Sequence, residues 1–166
     1  MVRRYVLSIL VKNTSGVLFK VTGLFSRRGY NIRALSVGET MDPKISRITI
    51  ELVGDEYILE QIKKQLSKLV DVVKVKAIRS AHSVYKELIL AKVRVGPKGR
   101  AGIIELCDIF RTRIVDTGRN SVIIEMSGSP EKNAALLRLL EEYEILEISR
   151  TGITAMERGE TTIYED

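Results

Sequence analysis

The sequence predicts an α+β protein built from two consecutive β-α-β-β-α-β halves. Three observations predict it. Short runs in which apolar residues alternate with period two are separated by stretches with helical spacing. That order of runs occurs once before residue 80 and again after it. The length, 166 residues, suits one large domain or two small ones of about 80 residues each.

The elements follow in order. Residues 3–12 place Tyr5, Leu7, Ile9 and Val11 on one side and Arg4, Val6, Ser8 and Leu10 on the other, which reads as a strand. Asn13-Thr14-Ser15-Gly16 is a turn cluster that offers helix N-caps. Val17, Leu18, Val21, Leu24 and Phe25 follow at helical spacing, and Gly29 ends that helix as a C′ glycine. Ile32–Thr40 reads as a second strand. Pro43 fixes a turn over residues 41–44, and Arg47–Val53 alternates again. Gly54-Asp55 opens a helix with Ile58, Ile62, Leu66 and Leu69 on one stripe, and Val72–Ile78 is a fourth strand. This order is the ferredoxin-like motif.

The pattern then repeats. Tyr85–Val95 reads as a strand, residues 96–102 as a turn, and Ile103, Leu106, Cys107 and Phe110 as a helix. Arg113–Asp116 and Ser121–Ser127 are strands. Ser129-Pro130 supplies the N-cap and N1 of a helix containing Ala134, Leu137 and Leu140. Ile145–Ala155 closes as one strand. The predicted division is residues 1–79, a linker at 80–84, and residues 85–166. Open sheet edges on such small domains favour edge-to-edge dimerisation.

Charge divides in the same place. The net charge is +6. Residues 1–79 hold 15 Lys/Arg and 7 Asp/Glu, and residues 80–166 hold 12 and 14, so the halves carry +8 and −2. A basic half raises the question of nucleic acid. An RNA-stacking sheet needs aromatics on its third strand, and Arg47–Val53 has none. The Gly96-Pro97-Lys98-Gly99 run follows a strand, the wrong context for a backbone clamp between two helices. It also lacks the Gly-Lys-Ser/Thr of a phosphate loop.

Catalysis and metal binding find little support. One cysteine, Cys107, permits no internal disulfide and favours a cytosolic home. With one histidine, His82, a His/Cys-rich zinc site is excluded, and His82 reads as a solvated linker residue. Glu141, Glu142 and Glu144, and likewise Asp55-Glu56, read as surface carboxylates. No apolar run approaches the roughly 18 residues of a membrane span. The strand pattern beginning at the first residues argues against a signal peptide.

The informative segment is Lys12–Val17, a loop from a strand into the amino end of a helix. Backbone N–H groups there point outward and the helix dipole favours an anion. Gly16 lets a ligand approach the backbone, and Asn13 offers both a donor and an acceptor. A free amino acid needs such groups for its carboxylate and ammonium. Asn31 adds a second amide at the start of the second strand. On the residues alone, a capped turn is the commoner reading of such a segment.

The run from Leu7 through Lys12-Asn-Thr-Ser-Gly-Val17 to Arg28-Gly-Tyr-Asn-Ile32 resembles an ACT domain. More narrowly, it resembles the small, regulatory subunit family of acetohydroxyacid synthase, also called acetolactate synthase. Asp42-Pro43, Ser46–Ile50, Val53-Gly-Asp-Glu56 and Gln65–Val72 fit the same family, as do Ile109-Phe-Arg111, Ile114-Val-Asp116, Arg150-Thr-Gly152 and Glu157-Arg-Gly159.

The resemblance implies an N-terminal ACT domain, a second ferredoxin-like domain and no active site. It implies a large catalytic subunit as partner, carrying thiamine diphosphate, Mg and FAD. That subunit condenses pyruvate with pyruvate or 2-oxobutyrate, at the start of branched-chain amino acid synthesis in the cytoplasm. The small subunit raises its activity and confers feedback inhibition by valine. Carried over by position, Asn13, Gly16, Val17 and Leu18 of one chain would face Asn31 and Ile32 of its partner across a homodimer. Lys12 replaces a common acidic residue. Phe19 stands where many members carry a small hydroxyl residue and would crowd the helix beside the pocket. Other readings are a stand-alone ACT sensor for a different enzyme and a nucleic-acid-binding module.

Overall fold

The computed structural model describes residues 3–165, which divide into two units, one formed by residues up to Val84 together with those from Gly152 onward, the other by Tyr85–Thr151. In the first unit β1 (Arg3–Lys12), α1 (Val17–Arg27), β2 (Ile32–Glu39), β3 (Ile45–Gly54), α2 (Glu56–Leu66) and β4 (Val72–Ile78) follow in sequence. The strands form one antiparallel sheet in the order β2-β3-β1-β4. Leu7, Ile9 and Val11 of β1 and Ile48, Ile50 and Leu52 of β3 pack against Val21 and Phe25 of α1 and Ile62 and Leu66 of α2. That arrangement is the ferredoxin-like one, and it follows from period two meeting period 3.6 across one core.

Helix ends follow their local chemistry. Asp55 caps α2 by accepting a hydrogen bond from the Ile58 N–H at 2.8 Å. At the end of α1, Gly29 has φ of +68°. Its N–H donates to the Ser26 carbonyl and that of Tyr30 to the Phe25 carbonyl, a Schellman closure.

The second face of this sheet is also covered. Val6, Ser8 and Leu10, on the side of β1 away from the helices, are buried as deeply as the core. The segment from Gly152 to Glu165 lies on that side. Its Ile153, Ala155 and Ile163 are buried. Arg47 donates from Nε to Ser8 Oγ at 2.7 Å and from Nη2 to the Ala155 carbonyl at 2.9 Å. The three hydrogens of the Lys76 ammonium are matched by three acceptors, Glu157 Oε2 at 2.7 Å and the carbonyls of Thr162 at 3.1 Å and Glu165 at 3.0 Å.

The second unit repeats the order with β5 (Ser83–Arg94), α3 (Arg100–Phe110), β6 (Arg113–Thr117), β7 (Ser121–Gly128), α4 (Pro130–Leu140) and β8 (Glu144–Arg150). Its strands run β6-β7-β5-β8. Ile89, Val93, Ile124 and Met126 pack against Ile103, Cys107, Leu136 and Leu140. Ser129 caps α4, accepting from the Lys132 N–H, with Pro130 in its first turn.

Two expected boundaries come out differently. The run read as one strand from Ile145 to Ala155 is β8 and a separate β9 (Thr154–Glu157), which pairs with β5. Gly152 divides them with φ of +78°, a left-handed conformation disfavoured for other residues. A Cβ there would stand 2.9 Å from the Ala34 Cβ, so glycine is also required by close approach. Residues 152–165 therefore leave the second half and pack with the first. The segment 80–84, read as a linker, is a 3-10 turn at Ser80–His82 that runs directly into β5.

Candidate functional site

The loop between β1 and α1 is held from three directions. The Lys12 N–H donates to the Asp71 carbonyl at 2.9 Å, the Asn13 N–H to the Lys44 carbonyl at 2.7 Å, and the Val17 N–H to the Thr14 carbonyl at 3.4 Å. Gly16 occupies the N-cap of α1 with φ of +83°, and no side chain caps this helix. The first turn of α1 carries no acidic residue, so its dipole is not offset from within the helix. Nothing lies within 4 Å of where a Gly16 Cβ would stand. The loop thus presents an uncapped amino end of a helix beside open space.

Asn13 is exposed, and its amide nitrogen donates to Glu39 Oε1 and to the Pro43 carbonyl, each at 2.9 Å. Val17 points into the core and is buried, while Leu18 is partly exposed. Lys20 meets Asp71 at 2.6 Å. That hydrogen bond, chiefly, holds the Asp71 carboxyl below its ordinary range, with the Lys20 and Lys12 charges adding to it against the opposing effect of desolvation.

Asn31 and Ile32 lie elsewhere. Lys12 is paired with Ile45 and Glu39 with Ser46, at one end of the sheet. Ile32 is paired with Leu52, and Leu52 with Tyr5, at the other. At the strand rise of roughly 3.4 Å per residue, these ends are about 20 Å apart. A single copy brings Asn13, Gly16, Val17 and Leu18 together and leaves Asn31 and Ile32 apart from them.

Two residues of this neighbourhood escaped the sequence reading, Glu39 and Asp71. Each reaches the loop through strand register, and no spacing signal near residue 13 could reveal either. Phe19 projects outward from α1, 80% exposed, and with Thr22, Gly23, Ser26 and Leu69 lines a groove of about 510 Å³. It does not enter the core beside Val17. Among the described residues, no three His, Cys, Asp or Glu side chains are grouped as a metal site requires. No helix there is long and apolar enough to cross a membrane.

Comparison with known proteins accounts for nearly the whole chain. A family model described as the AHAS small subunit-like ACT domain matches residues 7–74, and one described as the small subunit of acetolactate synthase matches residues 86–159. The acetolactate synthase small subunit of Haemophilus influenzae is 48% identical over 161 residues, covering 96% of this chain and 99% of its own length. That of Mycolicibacterium smegmatis is 46% identical over 155 residues, covering 93% and 91%. The crystal structure of the acetolactate synthase small subunit from Thermotoga maritima superposes with a TM-score of 0.88 at 43% identity, covering 96% of this chain and 99% of that one. The chain belongs to the acetolactate synthase small-subunit family, with an ACT domain within its first unit.

Proposed function

We propose that this chain is a non-catalytic regulator that stimulates a thiamine-diphosphate-dependent catalytic subunit of acetolactate synthase and makes it subject to feedback inhibition by valine. In this reading thiamine diphosphate, Mg and FAD belong to the catalytic subunit, and both chains work in the cytoplasm. Family membership across both units is the observation that carries the reading.

The geometry supports an effector site shared between two copies. The loop at Asn13–Gly16 offers an uncapped helix amino end for a carboxylate and an amide oxygen for an ammonium group. Asn31 and Ile32 sit about 20 Å away at the far end of the sheet. β2 is an edge strand. Antiparallel pairing of β2 with its symmetry mate sets the Glu39 end of each copy beside the Ile32 end of the other. Two equivalent sites then form, each with Asn13, Gly16 and Leu18 from one copy and Asn31 and Ile32 from its partner. Val17 contributes by anchoring α1 in the core.

Valine inhibits only if it binds one arrangement of the complex better than another. Docking of the catalytic subunit then changes valine affinity by the same factor. A valine bridging two ACT domains stiffens their pairing and favours the less active arrangement.

Asn31→Ala and Gly16→Asp test this. Gly16→Asp puts a negative charge where the ligand carboxylate belongs, in a position with room for it but with a strained φ. In a reconstituted holoenzyme, added valine should lower the rate with the unaltered regulator and not with either variant. Stimulation of the catalytic subunit, measured in the same assay, reports whether each variant folds and docks. Unchanged inhibition in both variants rejects the shared site.

A further inference from the structure

We propose that Glu39 is the positioning residue of the effector site: it turns the Asn13 amide so that only its carbonyl faces an arriving ligand, and so makes the site select an ammonium group. The inference rests on the effector reading above and deepens it.

The Asn13 amide nitrogen has two hydrogens. One is donated to Glu39 Oε1 and one to the Pro43 carbonyl. Both partners are acceptors, a carboxylate and a backbone oxygen. Turning the amide over would set its oxygen against two oxygens, so the orientation is fixed by chemistry. What remains for a ligand is Oδ1, an acceptor.

The partners are themselves held in place. Glu39 closes β2, paired with Ser46. Pro43 lies in a turn braced by Thr40 Oγ1, which donates to the Ile45 carbonyl, and by the Lys44 N–H, which donates to Asp42 Oδ1. The Asn13 N–H reaches the Lys44 carbonyl of the same turn. The β1–α1 loop and the β2–β3 turn are thus tied together, and Glu39 adds a negative charge beside the amide.

The consequence is selectivity among molecules with the same carbon skeleton. An α-ammonium group donates to Oδ1 and is favoured by the Glu39 charge. A 2-oxo acid has a carboxylate and an identical side chain, but it brings an oxygen to an oxygen. A regulator of an enzyme that consumes 2-oxo acids has to make that distinction, and a site built for a donor rejects a ligand lacking it.

Calorimetric titration of the full-length chain tests the proposal. The probes are valine, leucine, isoleucine and 3-methyl-2-oxobutanoate. The unaltered chain should bind valine more tightly than the oxo acid by about 100-fold or more. Glu39→Ala should weaken valine roughly tenfold and tighten the oxo acid, because the freed amide hydrogen can donate to its keto oxygen, so that discrimination falls by more than that factor. Glu39→Gln keeps an acceptor for the amide and should recover part of the loss. An unchanged thermal midpoint in each variant shows that the fold is kept. Equal valine affinity and equal discrimination in Glu39→Ala overturn the role of Glu39 alone. If the unaltered chain binds none of valine, leucine and isoleucine, the effector reading falls, and this proposal with it.

Discussion

At the scale of single residues, Asp71 ties the end of β1 to the first turn of α1. Asp71 accepts from Lys20 at 2.6 Å and its main chain accepts from Lys12. Its folded-state pKa lies below the ordinary carboxylate value, so the contact stabilises the fold above about pH 4 and loses that effect as pH falls through the folded value. Acid unfolding of Asp71→Asn against the unaltered chain checks the sign. The variant should be the less stable at neutral pH, with the difference closing below about pH 4. Phe19 shows what a residue in sequence cannot disclose. Helical spacing leaves it off the apolar stripe of α1, but does not say that it lines a groove with Leu69 of the segment after α2. Glu39 is a second case. It ends a strand and looks like solvated surface until the register sets it 2.9 Å from Asn13.

At the scale of elements, local chemistry and the observed structure agree closely. Asp55 and Ser129 follow strands and precede apolar helical stripes, and each caps its helix. Asp55→Ala should cost about 1 kcal/mol by loss of the cap bond, measured as a lower denaturation midpoint with an unchanged slope. The Schellman closure at Gly29 was legible for the same reason, because glycine after the last apolar position of a helix has few other uses. The cap of α1 was less legible. Asn13, Thr14 and Ser15 all offer caps, yet Gly16 takes the place and Asn13 spends its amide across the sheet. The sequence reads one strand over 145–155, and the structure divides it at Gly152, where a left-handed φ of +78° turns the chain between β8 and β9.

At the scale of the whole molecule, two ferredoxin-like orders were legible because each core is built from contacts within its own half. The return of residues 152–165 was not. Val6 and Leu10 signal that the second face of β1 is apolar, but nothing local names a partner some 140 residues away in sequence. A chain ending at Thr151 should lose the burial of Ile153 and Ile163 and strand Lys76 without its acceptors. The loss should be about 3 kcal/mol from the two isoleucines, seen as a lower thermal midpoint for the first unit and faster proteolysis within it.

That returning segment also sets an order of events during synthesis. The first unit needs residues made after the second, so it cannot reach its final packing while the ribosome is still adding the second. The second unit, contiguous from Tyr85 to Thr151, needs nothing downstream of itself. Domains usually fold in the order in which they emerge. Here the domain that emerges first is completed after the second, and a released chain ending at Thr151 would hold every residue of the second unit while its first unit lacked the returning strand.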